Sequence, residues 1–140
     1  MISGAIVDTG ALVALINRKD THHLWAREVW KQLCPSLLVC EPVITEACFL
    51  LQNLQNGESS ILRLLETNVI QNAIDLNTEV SAIDRLMQRY QFVLMSLADA
   101  CLVRMLELYP NSSILTLDQD FYIYRKQGNQ SIDVMMPRKS

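Results

Sequence analysis

The chain has 140 residues, of which 50% are hydrophobic and 19% are charged, so its composition fits one compact domain over residues 1–140. It has 12 Lys and Arg against 15 Asp and Glu, a formal net charge of −3, which argues against nucleic-acid binding by bulk electrostatics. No apolar run approaches the ~20 residues that cross a bilayer, and the N-terminus lacks a basic region and a cleavage site. The sequence therefore predicts a cytoplasmic protein with no membrane contact.

The cysteines also favour a reducing, cytoplasmic compartment. No pair has CxxC spacing and each has apolar neighbours, which argues against a disulfide or a zinc site; the four are Cys34, Cys40, Cys48 and Cys101. His22 and His23 are interpreted as helix-start residues, because adjacent residues on a helix face different ways and cannot easily share a ligand.

The hydrophobic pattern predicts strands that alternate with helices along the chain. Thr21 is the predicted N-cap of the second helix, Asn77 or Thr78 of the fifth, and Gln71 and Asn72 interrupt a weak strand region at 69–74. The predicted strands cover 2–7, 37–40, 114–117 and an edge segment at 132–135; the predicted helices cover 11–16, 22–33, 42–55, 58–66, 79–90 and 95–109, with an irregular or short helical segment at 121–124. This order favours an α/β fold with a mainly parallel sheet covered on both faces.

Asp8 ends the first predicted strand, directly after Ile6 and Val7. In open α/β sheets, ligands and catalytic groups gather at this carboxyl edge. Taken alone, the position fits a phosphoacceptor, a phosphatase nucleophile or a metal ligand.

Asp118 repeats the pattern at the end of the strand at 114–117. Two parallel strands that each end in an acid place both carboxylates at one edge of the sheet. Asp120 follows two residues later and is expected to join or support the pair. The alternative is an ordinary Asp-rich turn at 118–120.

Glu46 and Asp99 are acids on helices. Glu46 lies three residues after Val43 and four before Leu50, so we expect it to face the core side, where an acid must be paired, protonated or bound to a cation. Asp99 is expected on a packing face of the helix at 95–109. Ser96 and Asp99 also have the spacing of a capping box, which alone explains Asp99.

Acids gathered at one edge would repel each other without a cation. Oxygen-only ligands select Mg²⁺ or Mn²⁺. Such an ion makes a water nucleophilic and stabilises charge on a phosphoryl group, so no Ser, Cys or His nucleophile is needed.

At this point the chain resembles the PIN domain family, which includes VapC-type toxins of bacterial toxin–antitoxin pairs and related ribonucleases. The resemblance lies in segments 6–12, 43–46, 96–100 and 115–121, in order over nearly the whole chain. It implies a three-layer α/β/α sandwich with a central parallel sheet, and a Mg²⁺- or Mn²⁺-dependent endoribonuclease that is usually a homodimer with an antitoxin partner. By position it also implies a metal-binding catalytic quartet formed by Asp8, Glu46, Asp99 and Asp118. Asp120 matches an auxiliary acid, and Thr9 and Thr116 match two supporting hydroxyls.

Three other functions remain as alternatives. A receiver or Asp-nucleophile phosphatase is disfavoured, because Gly10 stands where the phosphatase has its second acid and Asp118 where the receiver has a Lys. A PIN-like dimeric binding module is compatible with the apolar surface near Trp25, Trp30 and residues 50–54, and a non-toxin RNA-processing nuclease shares the same motifs.

Overall fold

The computed structural model describes residues 4–33 and 36–138. Residues 2 and 3 of the first predicted strand, and Cys34, lie outside these ranges. The strands are β1 (Ala5–Val7), β2 (Leu37–Val39), β3 (Ile70–Asn72), β4 (Ser113–Leu115), β5 (Arg125–Lys126), β6 (Gln130–Ser131) and β7 (Val134–Met135). The helices are α1 (Thr9–Ile16), α2 (His23–Lys31), α3 (Glu41–Leu50), α4 (Gly57–Glu66), α5 (Leu76–Arg89) and α6 (Leu97–Leu108), with 3₁₀ turns at Gln91–Val93 and Gln119–Tyr122.

Five strands form a parallel sheet in the order β3-β2-β1-β4-β7. The central strand β1 pairs with β2 on one side and β4 on the other, with Ile6 opposite both Leu38 and Ile114. Ile6, Val7, Ile114 and Leu115 are fully buried, because helices cover both faces of the sheet. The predicted α/β/α sandwich is confirmed.

The helices form two groups. Helices α1 to α4 pack together, and α5 packs against α6. Right-handed crossovers place the first group on one face of the sheet and the second on the other. All parallel strands therefore end at one edge, where the loops before α1, α3 and the 3₁₀ turn at Gln119–Tyr122 begin.

Several predicted boundaries are wrong for local reasons. Gln71 and Asn72 do not interrupt a strand but lie within β3, since β3 is an edge strand whose polar side chains reach solvent while its backbone pairs with β2. Thr21 is not the N-cap of α2; His22 is, and the Asp20 side chain accepts a hydrogen bond from the His22 N–H. Helix α5 begins at Leu76, before the predicted caps Asn77 and Thr78.

The junction of α3 and α4 is longer than expected, because α3 ends at Leu50 rather than at residue 55. The chain then turns back on itself, and a side chain on Gly57 would lie 2.2 Å from the Leu51 carbonyl oxygen. Only glycine fits this close backbone approach.

The β5–β6 hairpin is a feature that the sequence did not predict. It follows the turn at Gln119–Tyr122, and Gln127 and Gly128 at its tip have positive φ angles of 49° and 85°. In the described ranges, no helix is long and apolar enough to cross a membrane.

Candidate active site

Asp8 lies between β1 and α1 and is 8% exposed. Its Oδ1 accepts a hydrogen bond of 2.7 Å from the Thr9 N–H, so it is the N-cap of α1. Burial raises the pKa of Asp8 from 3.8 to about 6, although the bonds from Thr116 and Thr9 lower it. The nearby carboxylates of Asp99 and Asp118 raise the pKa further.

Thr116 connects the two acids at the ends of β1 and β4. Its hydroxyl donates to Asp8 Oδ2 at 2.7 Å and accepts from the Asp118 N–H at 2.9 Å. The side chain is fully buried, so this hydroxyl has one arrangement that satisfies both neighbours. Thr116 thereby fixes the orientation of Asp8 and the path of the chain to Asp118.

Asp99 lies in the first turn of α6, where Ser96 performs the capping role: its side chain accepts from the Asp99 N–H at 3.0 Å. The Asp99 carboxylate instead accepts a hydrogen bond of 2.8 Å from the Tyr124 hydroxyl. Burial raises the pKa of Asp99, the Tyr124 bond lowers it, and the Asp118 charge raises it again. Ser96 therefore caps α6 through its side chain, and the Asp99 carboxylate bonds Tyr124 rather than taking the capping role.

Asp118 and Asp120 surround the start of the 3₁₀ turn, and Asp118 Oδ1 accepts from the Asp120 N–H at 2.9 Å. One carboxylate oxygen from each of Asp99, Asp118 and Asp120 lies within 4.8 Å of the others. Partial burial and the neighbouring Asp118 raise the pKa of Asp120. In residues 4–33 and 36–138 this is the one group of three His, Cys, Asp or Glu side chains with such spacing.

All five predicted acids line one cleft of about 600 Å³ at the carboxyl edge of the sheet, together with Thr9 and Leu94. Asp8 comes from β1, Glu46 from α3, Asp99 from α6, and Asp118 and Asp120 from the segment after β4. The structure thus brings the whole predicted set to one cavity, with Asp8 at its base and Glu46 at its rim.

The expectation that Glu46 faces the core is wrong, because its side chain is exposed. The buried stripe of α3 is Val43 and Ala47, continued by Leu51 after the helix end. Four residues make slightly more than one helical turn, so this buried stripe shifts around α3 toward positions 44 and 48. Glu46 and Leu50 therefore face outward. Glu46 therefore needs no partner for its charge, and its place in the cleft depends on the rim position alone.

The donor set fits a hard divalent cation. It consists of carboxylate oxygens, which Mg²⁺ and Mn²⁺ prefer. The buried Thr9 Oγ1 also lacks a hydrogen-bond partner among the described residues, and a buried hydroxyl beside a polar cleft is normally satisfied by water or an ion. Cys40, Cys48 and Cys101 are free thiols.

Tyr124 is the residue at the cleft that sequence reasoning missed. It is fully buried and packs edge-on against Tyr90 and Phe121, with ring centroids 5.1 and 5.2 Å away. Burial and its acceptor Asp99 raise the pKa of the phenol, so the hydroxyl stays a donor. The aromatic residues at 121–124 were the available signal, but nothing in the pattern linked them to Asp99.

Comparison with known proteins agrees with this geometry. The PIN domain family model matches residues 5–127. The fold is similar to Mycobacterium tuberculosis VapC20, described as a Sarcin-Ricin loop cleaving toxin, with a TM-score of 0.73 and 20% identity over 84% of this chain and 92% of that one. It is also similar to Rickettsia felis VapBC2 bound to a DNA fragment from their promoter, with a TM-score of 0.60 and 12% identity over 96% and 98%.

No curated protein has a significant sequence match to the chain. Because the two similar structures share only 20% and 12% sequence identity with it, they are evidence for the fold alone. The family model, in contrast, matches most of the sequence, including every acid of the cleft. The resemblance drawn from the four sequence motifs is thereby confirmed, and the chain belongs to the PIN domain family.

Proposed function

We propose that the protein is a Mg²⁺- or Mn²⁺-dependent endoribonuclease that hydrolyses phosphodiester bonds in RNA. The observation that supports this most is the convergence of Asp8, Glu46, Asp99, Asp118 and Asp120 on one cleft. Carboxylates at this spacing repel each other, so the arrangement favours a bound cation over an empty site.

The residues of the cleft have distinct roles in this proposal. Asp99, Asp118 and Asp120 would hold the ion, and Asp8 would complete the set from below. When bound, the ion would activate a water and stabilise charge on the phosphoryl group. Thr116 holds Asp8 in place, and Glu46 at the exposed rim would contact the ion directly or through water.

The biological role that we propose is the toxin of a type II toxin–antitoxin pair, acting as a homodimer. Its support is the resemblance to VapC-type proteins and the fold shared with VapC20, which is described as a Sarcin-Ricin loop cleaving toxin. A non-toxin RNA-processing nuclease is the alternative with the same chemistry. An antitoxin co-purifying with the chain would favour the toxin role.

The direct test of the activity is to incubate the purified protein with total RNA in Mg²⁺ or Mn²⁺ and to map the new RNA ends. We expect cleavage at a restricted set of sites that EDTA abolishes and added Mn²⁺ restores. Cleavage that persists in EDTA would contradict the metal-dependent mechanism, and no cleavage of any RNA would favour the binding-module alternative.

A groove beside the cleft supports a protein partner. It has a volume of about 650 Å³, is mainly apolar, and shares Glu46 with the acid cleft. Phe49, which is 65% exposed, and Leu76 and Leu97 form its wall. An amphipathic antitoxin helix fits an apolar groove of this kind.

Replacing Phe49 with Ser is expected to weaken capture of the co-expressed antitoxin by about tenfold or more, because an exposed aromatic anchor supplies much of such an interface. RNA cleavage by the isolated variant should be unchanged, since Phe49 is not in the acid cleft. Exposed Leu62 on α4 provides the control substitution to Ser. Equal antitoxin binding by both variants would exclude this groove.

The hydrogen bond from Tyr124 to Asp99 predicts a role in metal binding. Removing the hydroxyl in Tyr124→Phe should weaken Mn²⁺ binding about tenfold, the lower end for groups that orient a ligand. Titration calorimetry with Mn²⁺ measures this without any turnover. The unfolding temperature in EDTA should change little, because the ring still fills its place in the core.

Tyr90→Phe is the matched control for this measurement. Tyr90 belongs to the same aromatic cluster, but its hydroxyl accepts from the Arg125 N–H at 2.8 Å and touches no acid. Its removal should leave Mn²⁺ affinity unchanged. Equal loss of affinity in both variants would show that the cluster acts through packing alone.

A further inference from the structure

An acidic cleft in a chain of net charge −3 needs cations elsewhere to hold an RNA backbone. The cations that flank the acids in sequence are Arg18, Lys19, Arg125 and Lys126. Two of these are already engaged. Arg125 Nη1 donates to the carbonyls of Tyr122 and Tyr124, and the Lys126 amino group is buried and donates to the Pro110 carbonyl.

Other cations are also committed to structural contacts. Arg104 pairs with Glu79 at 2.6 Å and with Glu107 at 3.2 Å, and Lys31 pairs with Glu28 at 3.3 Å. Arg89 lies over the ring of Tyr90. Each of these contacts satisfies a positive charge within the fold, so these residues are poor candidates for an RNA contact.

Arg18 and Arg27 have a different environment. Together with His23 and Ser60 they line a third cavity of about 710 Å³, between the end of α1 and the helices α2 and α4. Both arginines are exposed, and neither forms an ion pair with any residue in 4–33 or 36–138. None of the described residues that line the cavity is an acid. We name it the basic pocket.

Helix α1 forms the floor of the basic pocket, and a hydrogen bond holds His23 in place. Leu15 and Ile16 of α1 form an apolar surface there. His23 Nδ1 lies 2.8 Å from the Ala14 carbonyl oxygen, an atom that can only accept, so Nδ1 carries a proton. The Nε2 edge is then free of that bond. Two guanidinium groups beside a held imidazole form a site for a compact anion with several acceptor oxygens.

We infer that the basic pocket binds a phosphate group of the RNA backbone, away from the bond that is cut. This rests on the proposed nuclease function. The acid cleft contacts Thr9 and Gly10 at the start of α1, and the basic pocket contacts Leu15 and Ile16 at its end. An eight-residue helix is about 12 Å long, or about three to four stacked nucleotides. The ligand of the basic pocket is therefore a phosphodiester several nucleotides from the cleaved one.

The test is steady-state cleavage by Arg18→Ala/Arg27→Ala with two substrates. On an RNA of about ten nucleotides, KM should rise about tenfold with kcat unchanged, because the contact serves binding and not the chemical step. On a dinucleotide that cannot reach the basic pocket, both constants should equal those of the wild type. A loss on both substrates, or on neither, would overturn the inference.

A binding experiment separates this inference from the proposed activity. In EDTA, fluorescence anisotropy with a labelled RNA strand measures affinity without cleavage. The double variant should bind more weakly, and its dependence of log affinity on log salt should be shallower by about 0.7, the change for one lost phosphate contact on a single strand. If the wild type cuts no RNA but shows this difference, the nuclease proposal fails while the basic pocket remains a phosphate site.

Arg85→Ala provides the matched control. Arg85 is exposed on α5, without an ion pair in the described part of the chain. It lines neither the basic pocket nor the acid cleft. Arg85→Ala removes the same charge as Arg27→Ala, but from another face of the protein. Equal effects of these single substitutions on RNA affinity and salt dependence would show a general charge effect and overturn the inference. Inorganic phosphate should also distinguish the two arginines, because it should compete only with the RNA contact that Arg27 makes.

Discussion

Replacing Asp99 with Asn is expected to lower metal-dependent RNA cleavage by about 10²–10³-fold, the usual loss when one preorganised electrostatic group is removed. Asp99 is the acid that links the cluster of Asp118 and Asp120 to the rest of the cleft. An amide keeps the shape and still accepts from the Tyr124 hydroxyl, so the fold should be retained. What it loses is the negative charge that an ion requires.

The measurement is the single-turnover rate of RNA cleavage at saturating Mn²⁺, with Mn²⁺ affinity determined separately by calorimetry. Asp84→Asn is the control, because Asp84 is an exposed acid on α5 whose side chain accepts only from Gln88. Both variants lose one charge, but only Asp99→Asn should lose activity. Full activity in Asp99→Asn would remove Asp99 from the catalytic set.

Replacing Asp8 with Asn is expected to abolish activity and yet stabilise the metal-free protein. In the folded state, burial raises the pKa of Asp8 from its ordinary value of 3.8 to about 6. The stability that the protonated carboxyl contributes is present below pH 3.8 and is lost as the pH rises through about 6. Asparagine never ionises, so at pH 8 the variant should gain about 1–3 kcal/mol of unfolding free energy in EDTA.

Urea unfolding in EDTA at pH 5 and at pH 8 measures this effect. The gain of Asp8→Asn over the wild type should be larger at pH 8, where the wild-type carboxylate is charged and buried. Added Mg²⁺ should stabilise the wild type and not the variant, since an ion favours the ionised carboxylate. A gain that is the same at both pH values would show that the buried charge at Asp8 is not its cause.

The parts of the fold that follow from local pattern were predictable. Asp8 and Asp118 each follow an apolar run, and parallel strands place such ends together, so their meeting at one edge needed no knowledge of the side-chain packing. Ser96 at the start of α6 was likewise readable, because capping depends on residues only three apart.

The missed features depend on contacts between distant segments. Glu46 lies on α3, whose buried face of Val43 and Ala47 is set by packing against other segments, and this packing leaves Glu46 exposed. The pairing of Tyr124 with Asp99 joins residues 25 apart through a turn of irregular geometry. The polar β3 strand is determined by β2 beside it, since propensity alone disfavours Gln71 and Asn72 there.

The hydrogen bond between Thr116 and Asp8 joins residues 108 positions apart, and this separation bears on how the protein is made. The chain emerges from the ribosome N-terminus first, so β1 must wait for most of the sequence before β4 can pair beside it. Until then Asp8 has neither Thr116 nor its neighbouring acids. The closing of so long a loop makes assembly of the cleft a late event. The acid cleft is therefore complete only after most of the chain has been synthesised.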